Sequence, residues 1–168
     1  MLKKSTDSGA SWGPISLVHG ESKNTSAGSR AWVTIGNPAP VAVDTVPGKV
    51  VLVGCRNNVQ AFVMSSLDFG TTWSPARYLT SANPKSDSWP WLATGPPQGL
   101  QLPTGRLLVA SDHRGANHAD VFSHAMFSDD GGETWELSSN ITGGNECQAA
   151  PLPNGTAGHP DGTVVVCV

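Results

Sequence analysis

The chain has 168 residues, of which 14% are charged, and its formal net charge is −3. This length suits one ordinary domain. A weakly negative chain without a basic stripe argues against nucleic acid as a partner. No apolar run reaches the roughly 18 residues that a membrane span needs, so no span is predicted. Residues 1–4 lead into polar sequence without the apolar segment of a signal peptide.

One frame, Ser-x-Asp-x-Gly-x-x-Trp, occurs three times, and its Asp residues stand 61 and 62 residues apart. A period of this length lies just above the range typical of propellers and solenoids. In each frame the Asp can hydrogen-bond its own turn, the Gly can adopt a positive φ, and the Trp ring can pack beneath the turn. We therefore predict structural turns formed by Asp7, Gly9, Trp12, Asp68, Gly70, Trp73, Asp130, Gly132 and Trp135.

A second period runs through the first, because Gly48, Gly105 and Gly162 stand 57 residues apart and each precedes a branched apolar run. A glycine turn followed by such a run predicts a buried strand. Adding the strand before each glycine and the strands on both sides of each Asp frame gives four strands per repeat. No segment has a sustained helical period. The predicted fold is all-β, a partial β-propeller with four-stranded antiparallel blades.

One partial propeller domain is predicted over residues 1–168, with full blades at 38–80 and 97–141. The predicted strands are first strands at 39–43, 99–102 and 147–152, third strands at 59–65 and 121–127, and fourth strands at 73–79 and 135–141. A last hairpin precedes the full blades, and the first two strands of another blade follow them. A propeller closes by circular repetition, so this set would leave unpaired edges. We therefore expect a fragment of a larger protein, with self-association or a partner chain as the alternative.

The three cysteines are too few and too scattered for a disulfide framework or a zinc site, so free or partly buried thiols are predicted. They are Cys55, Cys147 and Cys167. The histidines between residues 113 and 124 are spaced by five and six residues, which matches no zinc motif of a helix. The sequence therefore predicts neither a metal nor a cofactor.

Three further stretches open successive blades. They are Gly-Asn-Pro-Ala-Pro-Val at 36–41, Trp-Pro-Trp-Leu-Ala-Thr-Gly-Pro at 89–96, and Asn-Glu-Cys-Gln at 145–148. Together with the Asp frames, which are also called BNR repeats, these stretches resemble the exo-α-sialidases (neuraminidases) of the bacterial and animal type. The resemblance implies a six-bladed propeller with its active site at one end of the axis. It also implies hydrolysis of terminal α-linked sialic acid from glycoproteins, glycolipids or oligosaccharides, with net retention and without a metal.

Sialidases use a Tyr nucleophile instead of the usual pair of carboxylates. The anomeric carbon of sialic acid carries a carboxylate that would repel an approaching Asp or Glu, whereas a Tyr hydroxyl arrives neutral. In the family a Glu activates this Tyr, three Arg bind the substrate carboxylate, and an Asp is the general acid and base. The resemblance implies that Glu146 is the activating Glu, and no residue of the chain matches the other parts. Structural or surface roles are predicted for Tyr78, Arg30, Arg56, Arg77, Arg106 and Arg114.

The resemblance also implies substrate contacts. Trp89 and Trp91 precede the stretch that lies near the pocket for the N-acetyl and glycerol groups, where aromatic faces would pack on apolar sugar surface. Packing in the core or in a loop is the alternative for these two residues. Asp112 and His113 follow the second strand of that blade and are predicted to touch the glycerol chain, with a structural role as the alternative.

The leading hypothesis is a partial exo-α-sialidase that is inactive as this chain alone. The alternative is a non-catalytic Asp-frame propeller that acts as a glycan- or protein-binding scaffold. A different Asp-frame glycosidase would need paired acidic residues across the axis, and no second such residue stands out. The sequence leaves the oligomeric state open. It also leaves the compartment open between secreted, lysosomal and membrane-associated locations.

Overall fold

A computed structural model of the chain describes residues 1–24, 30–79, 89–95 and 98–167. Among these residues every regular element is a β-strand, and the named strand pairs are antiparallel. The strands are β1 Ser22–Asn24, β2 Arg30–Trp32, β3 Ile35–Ala42, β4 Val50–Arg56, β5 Gln60–Ser66, β6 Arg77–Tyr78, β7 Trp91–Thr94, β8 Leu100–Gln101, β9 Leu107–Arg114, β10 Val121–Ser128, β11 Glu136–Leu137, β12 Ile141–Thr142, β13 Gln148–Pro151 and β14 Val164–Cys167. The predicted all-β architecture is confirmed.

The first large sheet has the order β3-β4-β5-β6, which is the predicted four-stranded antiparallel unit. Its register pairs Arg56 with Gln60 at one end of the sheet and Val50 with Ser66 at the other. The strand β3 lies at one edge, and a bulge between Gly36 and Ala39 interrupts its pairing with β4. Such a bulge bends an edge strand and changes the direction of its first residues.

The second large sheet has the order β11-β10-β9-β7, and β8 and β12 add further pairing to β9 and β10. The strands β7 and β8 pair with opposite ends of β9, so they form one interrupted edge position. A first strand was predicted at 99–102, and the structure adds the earlier segment Trp91–Thr94. The sheet therefore spans 91–142, whereas the first spans 35–78.

Two smaller sheets accompany the large ones. β13 and β14 form the predicted first pair of strands of a further unit, and β1 and β2 form a short antiparallel pair that was not predicted. Near the chain start, Leu2 and Ser16 form an isolated antiparallel bridge, at the place of the predicted last hairpin. These pieces flank the two large sheets in chain order.

The main core lies between the two large sheets. From the first sheet it includes Val41, Val53 and Val63, and from the second sheet Val109 and Met126. Each of these side chains is at most 5% exposed. Full burial of an aliphatic side chain of this size contributes about 1.5–3 kcal/mol, so the contact between the sheets is a major source of stability. A second cluster packs the other face of the second sheet against β13 and β14.

The three Asp frames adopt one turn. In the second frame the Ser66 hydroxyl donates to Asp68 at 2.8 Å and accepts from the Gly70 N–H at 2.8 Å, while Asp68 accepts from the Thr72 hydroxyl at 2.7 Å. The first and third frames repeat these bonds. The residue after each Asp and the Gly that follows both have a positive φ.

The tryptophans of the frames differ in burial. Trp135 is 1% exposed and its indole donates to the Gly132 carbonyl at 3.0 Å. Trp73 makes the same bond within its frame at 3.2 Å and is partly buried. Trp12, however, is 61% exposed, so in the first frame the ring does not pack beneath its turn.

Candidate active site

Glu146 lies in the turn that leads into β13. The turn begins with Gly143 and Gly144, both at positive φ, and Glu146 itself has a φ of 57°. Its side chain is exposed, whereas the next residue, Cys147, is 1% exposed. The local pattern therefore anchors the strand through Cys147 and presents Glu146 to solvent.

The beginnings of β3, β7 and β13 lie at corresponding ends of their sheets. The first residues of these strands pair with the last residues of β4, β9 and β14. The pairs are Ile35 with Arg56, Trp91 with Arg114, and Gln148 with Cys167. The second and third Asp frames follow the opposite ends, where β5 and β10 finish. Glu146 is therefore at the end of the blades away from the frames.

Two hydrogen bonds join neighbouring sheets near this end: one runs from the end of β7 to β3, and the other from the residue before β13 to the middle of β9. The Thr94 hydroxyl donates to the Asn37 carbonyl at 2.8 Å, and the Cys147 thiol donates to the Ser111 carbonyl at 2.9 Å. Burial raises the pKa of the Cys147 thiol, which keeps it protonated as a donor. Cys55 is also free and buried, and burial raises the pKa of its thiol to about 11. The side chain of Cys167 lies outside the described part of the chain.

Asp112 is a fully buried carboxyl beside the Glu146 turn. It lies on β9, opposite Ala93 and Ser123, and is 0% exposed. Among the described residues no donor meets either of its oxygens in hydrogen-bonding geometry. Burial raises the pKa of Asp112 to about 6, and the negative charge of Glu146 acts in the same direction. The Glu146 N–H and the positive charge of Arg114 oppose that rise by favouring the carboxylate.

A stack of rings lies on the opposite face of the second sheet. The rings of Trp89 and His113 are parallel within 16° with centroids 3.6 Å apart, and the Nδ1 atoms of His113 and His124 are 3.1 Å apart. Burial lowers the pKa of His113 to about 4 and that of His124 to about 3. Two neutral imidazoles can share this contact, because one Nδ1 carries a hydrogen and the other accepts it.

Trp91 and Arg114 face the same side as Asp112. The Arg114 guanidinium lies 5.6 Å from the centre of the Trp91 ring, within the range of a cation–π contact. An open cleft of about 570 Å³ borders this region, and Arg114, Phe122 and Asn145 are among its lining residues. Asn145 directly precedes Glu146 in the sequence, so the cleft borders the turn that contains Glu146.

The remaining predicted structural residues form contacts away from the Glu146 turn. Tyr78 lies on the edge strand β6, and its hydroxyl donates to Glu21, which also accepts from the Arg56 Nε at 2.7 Å. Arg77 donates to the Gly132 carbonyl at 3.0 Å. Arg106 forms a bidentate pair with Asp129, at 2.7 and 2.6 Å. The Arg30 side chain lies outside the described residues.

The structure thus brings Asp112 next to Glu146 and stacks Trp89 on His113. It places Asp112 and His113 at 0% and 1% exposure, so a direct contact with a ligand would require both to become accessible. Sequence reasoning missed the roles of Cys147 and His124. The alternation of apolar residues along β10 was the available signal for His124, since it places this residue on the face of Phe122 and Met126.

Two other properties bear on the class of site. Within the described ranges no group of three or more His, Cys, Asp and Glu side chains could hold a metal ion. In the same part of the chain no helix is long and apolar enough to cross a membrane.

Comparison with known proteins points to one class. The family model for a BNR repeat-like domain matches residues 1–159. The chain is 35% identical over 126 residues to Sialidase-4 of Homo sapiens, a match covering 67% of this chain and 26% of that protein. It is 27% identical over 180 residues to a sialidase of Bacteroides fragilis, a match covering 92% of this chain and 31% of that protein.

Solved structures agree at the level of fold. A Hadza microbial sialidase has a TM-score of 0.73 at 22% identity, covering 88% of this chain and 32% of that chain. A Trypanosoma rangeli sialidase, solved in complex with 2,3-difluorosialic acid as a covalent intermediate, has a TM-score of 0.63 at 18% identity. That match covers 89% of this chain and 27% of the other.

The match over most of its length shows that the chain belongs to the family of BNR repeat-like domains. Within that family its relatives and structural neighbours are sialidases, which confirms the resemblance drawn from the sequence and the sialidase type of propeller fold. The chain spans about a quarter to a third of the length of the relatives described here.

Proposed function

We propose that this chain supplies the Glu that activates the Tyr nucleophile of an exo-α-sialidase, and that this residue is Glu146. The substrate is a terminal α-linked sialic acid on a glycoprotein, glycolipid or oligosaccharide. Glu146 accepts the proton of the Tyr hydroxyl as the Tyr oxygen attacks the anomeric carbon, and the second half of the reaction restores the original configuration.

The position of Glu146 carries this proposal. It is an exposed carboxyl at the beginning of β13, on a strand fixed by the buried Cys147, at the end of the sheets away from the Asp frames. A propeller arranges its blades around a central channel, so strands from several blades begin at the same end of the axis. The exposed side chain leaves room for a nucleophile and a sugar in front of it.

The rest of the machinery must come from residues other than those described. The only Tyr of the chain, Tyr78, bonds to Glu21 on an edge strand, and the Arg56, Arg77 and Arg106 side chains have structural partners. We therefore propose that this chain alone does not hydrolyse sialosides. Trp89 and Trp91 are proposed to contact the sugar from opposite faces of the second sheet, because both are only partly buried. Asp112 and His113, predicted to contact the glycerol chain, are proposed to support them, Asp112 on the face of Trp91 and His113 stacked on Trp89.

A chimera tests this function. The matching segment of the Bacteroides fragilis sialidase, which aligns with 92% of this chain, would be replaced by the chain itself. The chimera should release a fluorogenic group from an α-sialoside, whereas the purified chain should release none. Release by the chain alone would contradict the predicted lack of activity. A folded chimera that binds sialic acid without hydrolysing it would favour the alternative of a glycan-binding scaffold.

A further inference from the structure

We infer that two copies of this chain join into one ring, in which the last strands of each copy complete a blade with the first strands of the other. β14 of one copy pairs with residues 2–5 of the second copy, and the same junction forms again on the opposite side of the ring. The inference concerns an interaction surface that the proposed function does not use, and it is independent of the role of Glu146.

The first residues of the chain repeat the outer half of a blade. The bridge between Leu2 and Ser16 recurs 61 residues later as the pairing of Val63 with Arg77 in the first large sheet. A second backbone hydrogen bond of this hairpin recurs at the same interval. Residues 2–16 therefore form the third and fourth strands of a blade, the opening half blade. Among the described residues no second strand pairs with its residues 2–5.

The last residues of the described chain repeat the inner half of a blade. In the large sheets the second strand lies between two others, since β4 lies between β3 and β5, and β9 between β7 and β10. β14 is the corresponding strand of the last unit, because it follows Gly162 as β4 follows Gly48. Within the described ranges β14 pairs with β13 alone. Its other edge therefore offers N–H and C=O groups to which a further strand can bond.

The repeat fixes the register of the junction. In both large sheets the first Ser of the Asp frame pairs with the residue two positions after the turn glycine. The corresponding residues of the two half blades are Ser5 and Val164. Antiparallel pairing of β14 with residues 2–5 of the second copy therefore places Val164 opposite Ser5 and Val165 opposite Lys4. The composite blade then has the same four strands as the first large sheet.

Val165 is the exposed apolar side chain at this edge. It is 49% exposed, whereas Val51, at the same repeat position in the first large sheet, is 1% exposed. Val51 is covered because it belongs to the core between the two large sheets. Among the described residues no further sheet follows the unit of Val165. A blade of a second copy would bury Val165 as the second large sheet buries Val51.

An apolar groove on the first large sheet fits Val165. The groove has a volume of about 380 Å³, and its lining includes Leu2 from the opening half blade and Val50 and Leu52 from β4. The residues of β9 at the repeat positions of Val50 and Leu52 belong to the core that buries Val51. The groove therefore presents to Val165 of the second copy the same positions that cover Val51 within one chain.

The number of copies follows from the number of repeats. Each chain has three Asp frames, and therefore three blades when its two half blades are counted as one. Propellers typically have four to eight blades. One copy would give three blades, two copies give six, and three copies would give nine. Two copies are therefore the number that closes a ring within this range, with a two-fold axis that makes both junctions equivalent.

The mass of the purified chain in solution tests the dimer. Light scattering coupled to gel filtration should give twice the chain mass of 17.4 kDa. Val165→Asp places a charge in the groove at both junctions and should give the mass of a single chain at the same concentration. Val46→Asp is the matched control, because Val46 is 41% exposed on the turn between β3 and β4, and it should keep the mass of the dimer. A single-chain mass for the unmodified chain, an assembly larger than a dimer, or a dimer that Val165→Asp leaves intact would overturn the inference.

Cross-linking tests the register and remains decisive if Val165→Asp does not fold. In a Cys167→Ser background, a Lys4→Cys chain mixed with a Val165→Cys chain should form a disulfide-linked dimer on oxidation. Residues directly opposite each other in antiparallel strands have Cα atoms about 4.5–5.5 Å apart, which suits a disulfide. Lys3→Cys mixed with Val165→Cys is the control, because a shift of one residue turns the side chain to the other face. Equal linkage in both mixtures, or no linkage with Lys4→Cys, would contradict the proposed junction.

Discussion

The thiol of Cys147 donates a hydrogen bond to the backbone carbonyl of Ser111 at 2.9 Å. This contact crosses from the start of β13 to the middle of β9 and lies between Glu146 and Asp112 in the structure. Because Cys147 is 1% exposed, the bond is protected from water. The exposed carboxyl of Glu146 is thus attached to the second sheet through its buried neighbour.

Replacing Cys147 tests that attachment. Cys147→Ala removes the donor and leaves a small void, so the free energy of unfolding should fall by about 1–2 kcal/mol, measured by urea denaturation. Hydrogen exchange at the amides of β13 should accelerate. Cys55→Ala is the matched control, because Cys55 is equally buried but contacts Thr94 at a longer 3.4 Å. Equal acceleration of β13 exchange in both variants would argue against a specific role of Cys147.

The three frame tryptophans predict a graded response in this chain. Trp135→Ala should lower the free energy of unfolding by about 3–5 kcal/mol, because the side chain is fully buried. Trp73→Ala should cost less, and Trp12→Ala should have almost no effect, because Trp12 is 61% exposed. Urea unfolding of the three variants gives the order directly. Equal losses at Trp12 and Trp135 would contradict the packing described here.

Gly99 lies where the two large sheets approach each other closely. A Cβ atom on Gly99 would lie 2.5 Å from the Val41 Cγ2 and 2.8 Å from the Leu108 carbonyl oxygen. Gly99→Ala should therefore destabilise the chain by about 1–3 kcal/mol through overpacking. Gly20→Ala is the control, since its Cβ atom would meet nothing nearer than Leu17 at 3.6 Å. Thermal unfolding is the measurement. If Gly99→Ala unfolds at the same temperature as the unmodified chain, the two sheets can move apart at this position without loss of stability.

The ring stack predicts loss of stability in acid. Burial lowers the pKa of His113 to about 4 and that of His124 to about 3, from an ordinary value of 6.5. Between pH 6.5 and these lowered pKa values the unfolded chain binds more protons than the folded chain. The free energy of unfolding therefore decreases as the pH falls from 6.5 towards 3. Asp112, raised from 3.8 to about 6, acts in the opposite sense, because its protonated form favours folding as the pH falls through 6.

Urea midpoints between pH 7.5 and 4 measure the balance of these groups. His124→Leu should flatten the decline below pH 6.5, and Asp112→Asn should steepen it between 6 and 4, because the opposing group is gone. His159→Asn is the control, as His159 is exposed on the last unit. If the urea midpoint of His124→Leu falls with pH as steeply as that of the unmodified chain, the His113–His124 pair does not cause the loss of stability in acid.

The repeated frames made the fold readable from the sequence, because one turn with fixed side-chain bonds recurs at a constant interval. The repeat does not predict that Trp135 is buried and Trp12 is exposed, because burial of each Trp depends on which sheet covers its turn. Glu146 was predicted from its local motif and stays a prediction. The burial of Asp112 was not predictable, because it follows from the packing of β9 against β13, two strands that are distant in sequence. The strand β7 was missed because its pairing with the far end of β9 has no local signature.

The most direct test of the central claim is the turnover of a fluorogenic α-sialoside by the chimera with Glu146→Gln. We predict that kcat falls by about 10²–10⁴-fold, since a general base is removed, while KM changes little. Glu136→Gln, which changes an exposed carboxyl on β11 of the neighbouring sheet, should leave both constants unchanged. A Glu146→Gln chimera that retains the kcat of its parent would contradict the assignment of Glu146 as the activating base.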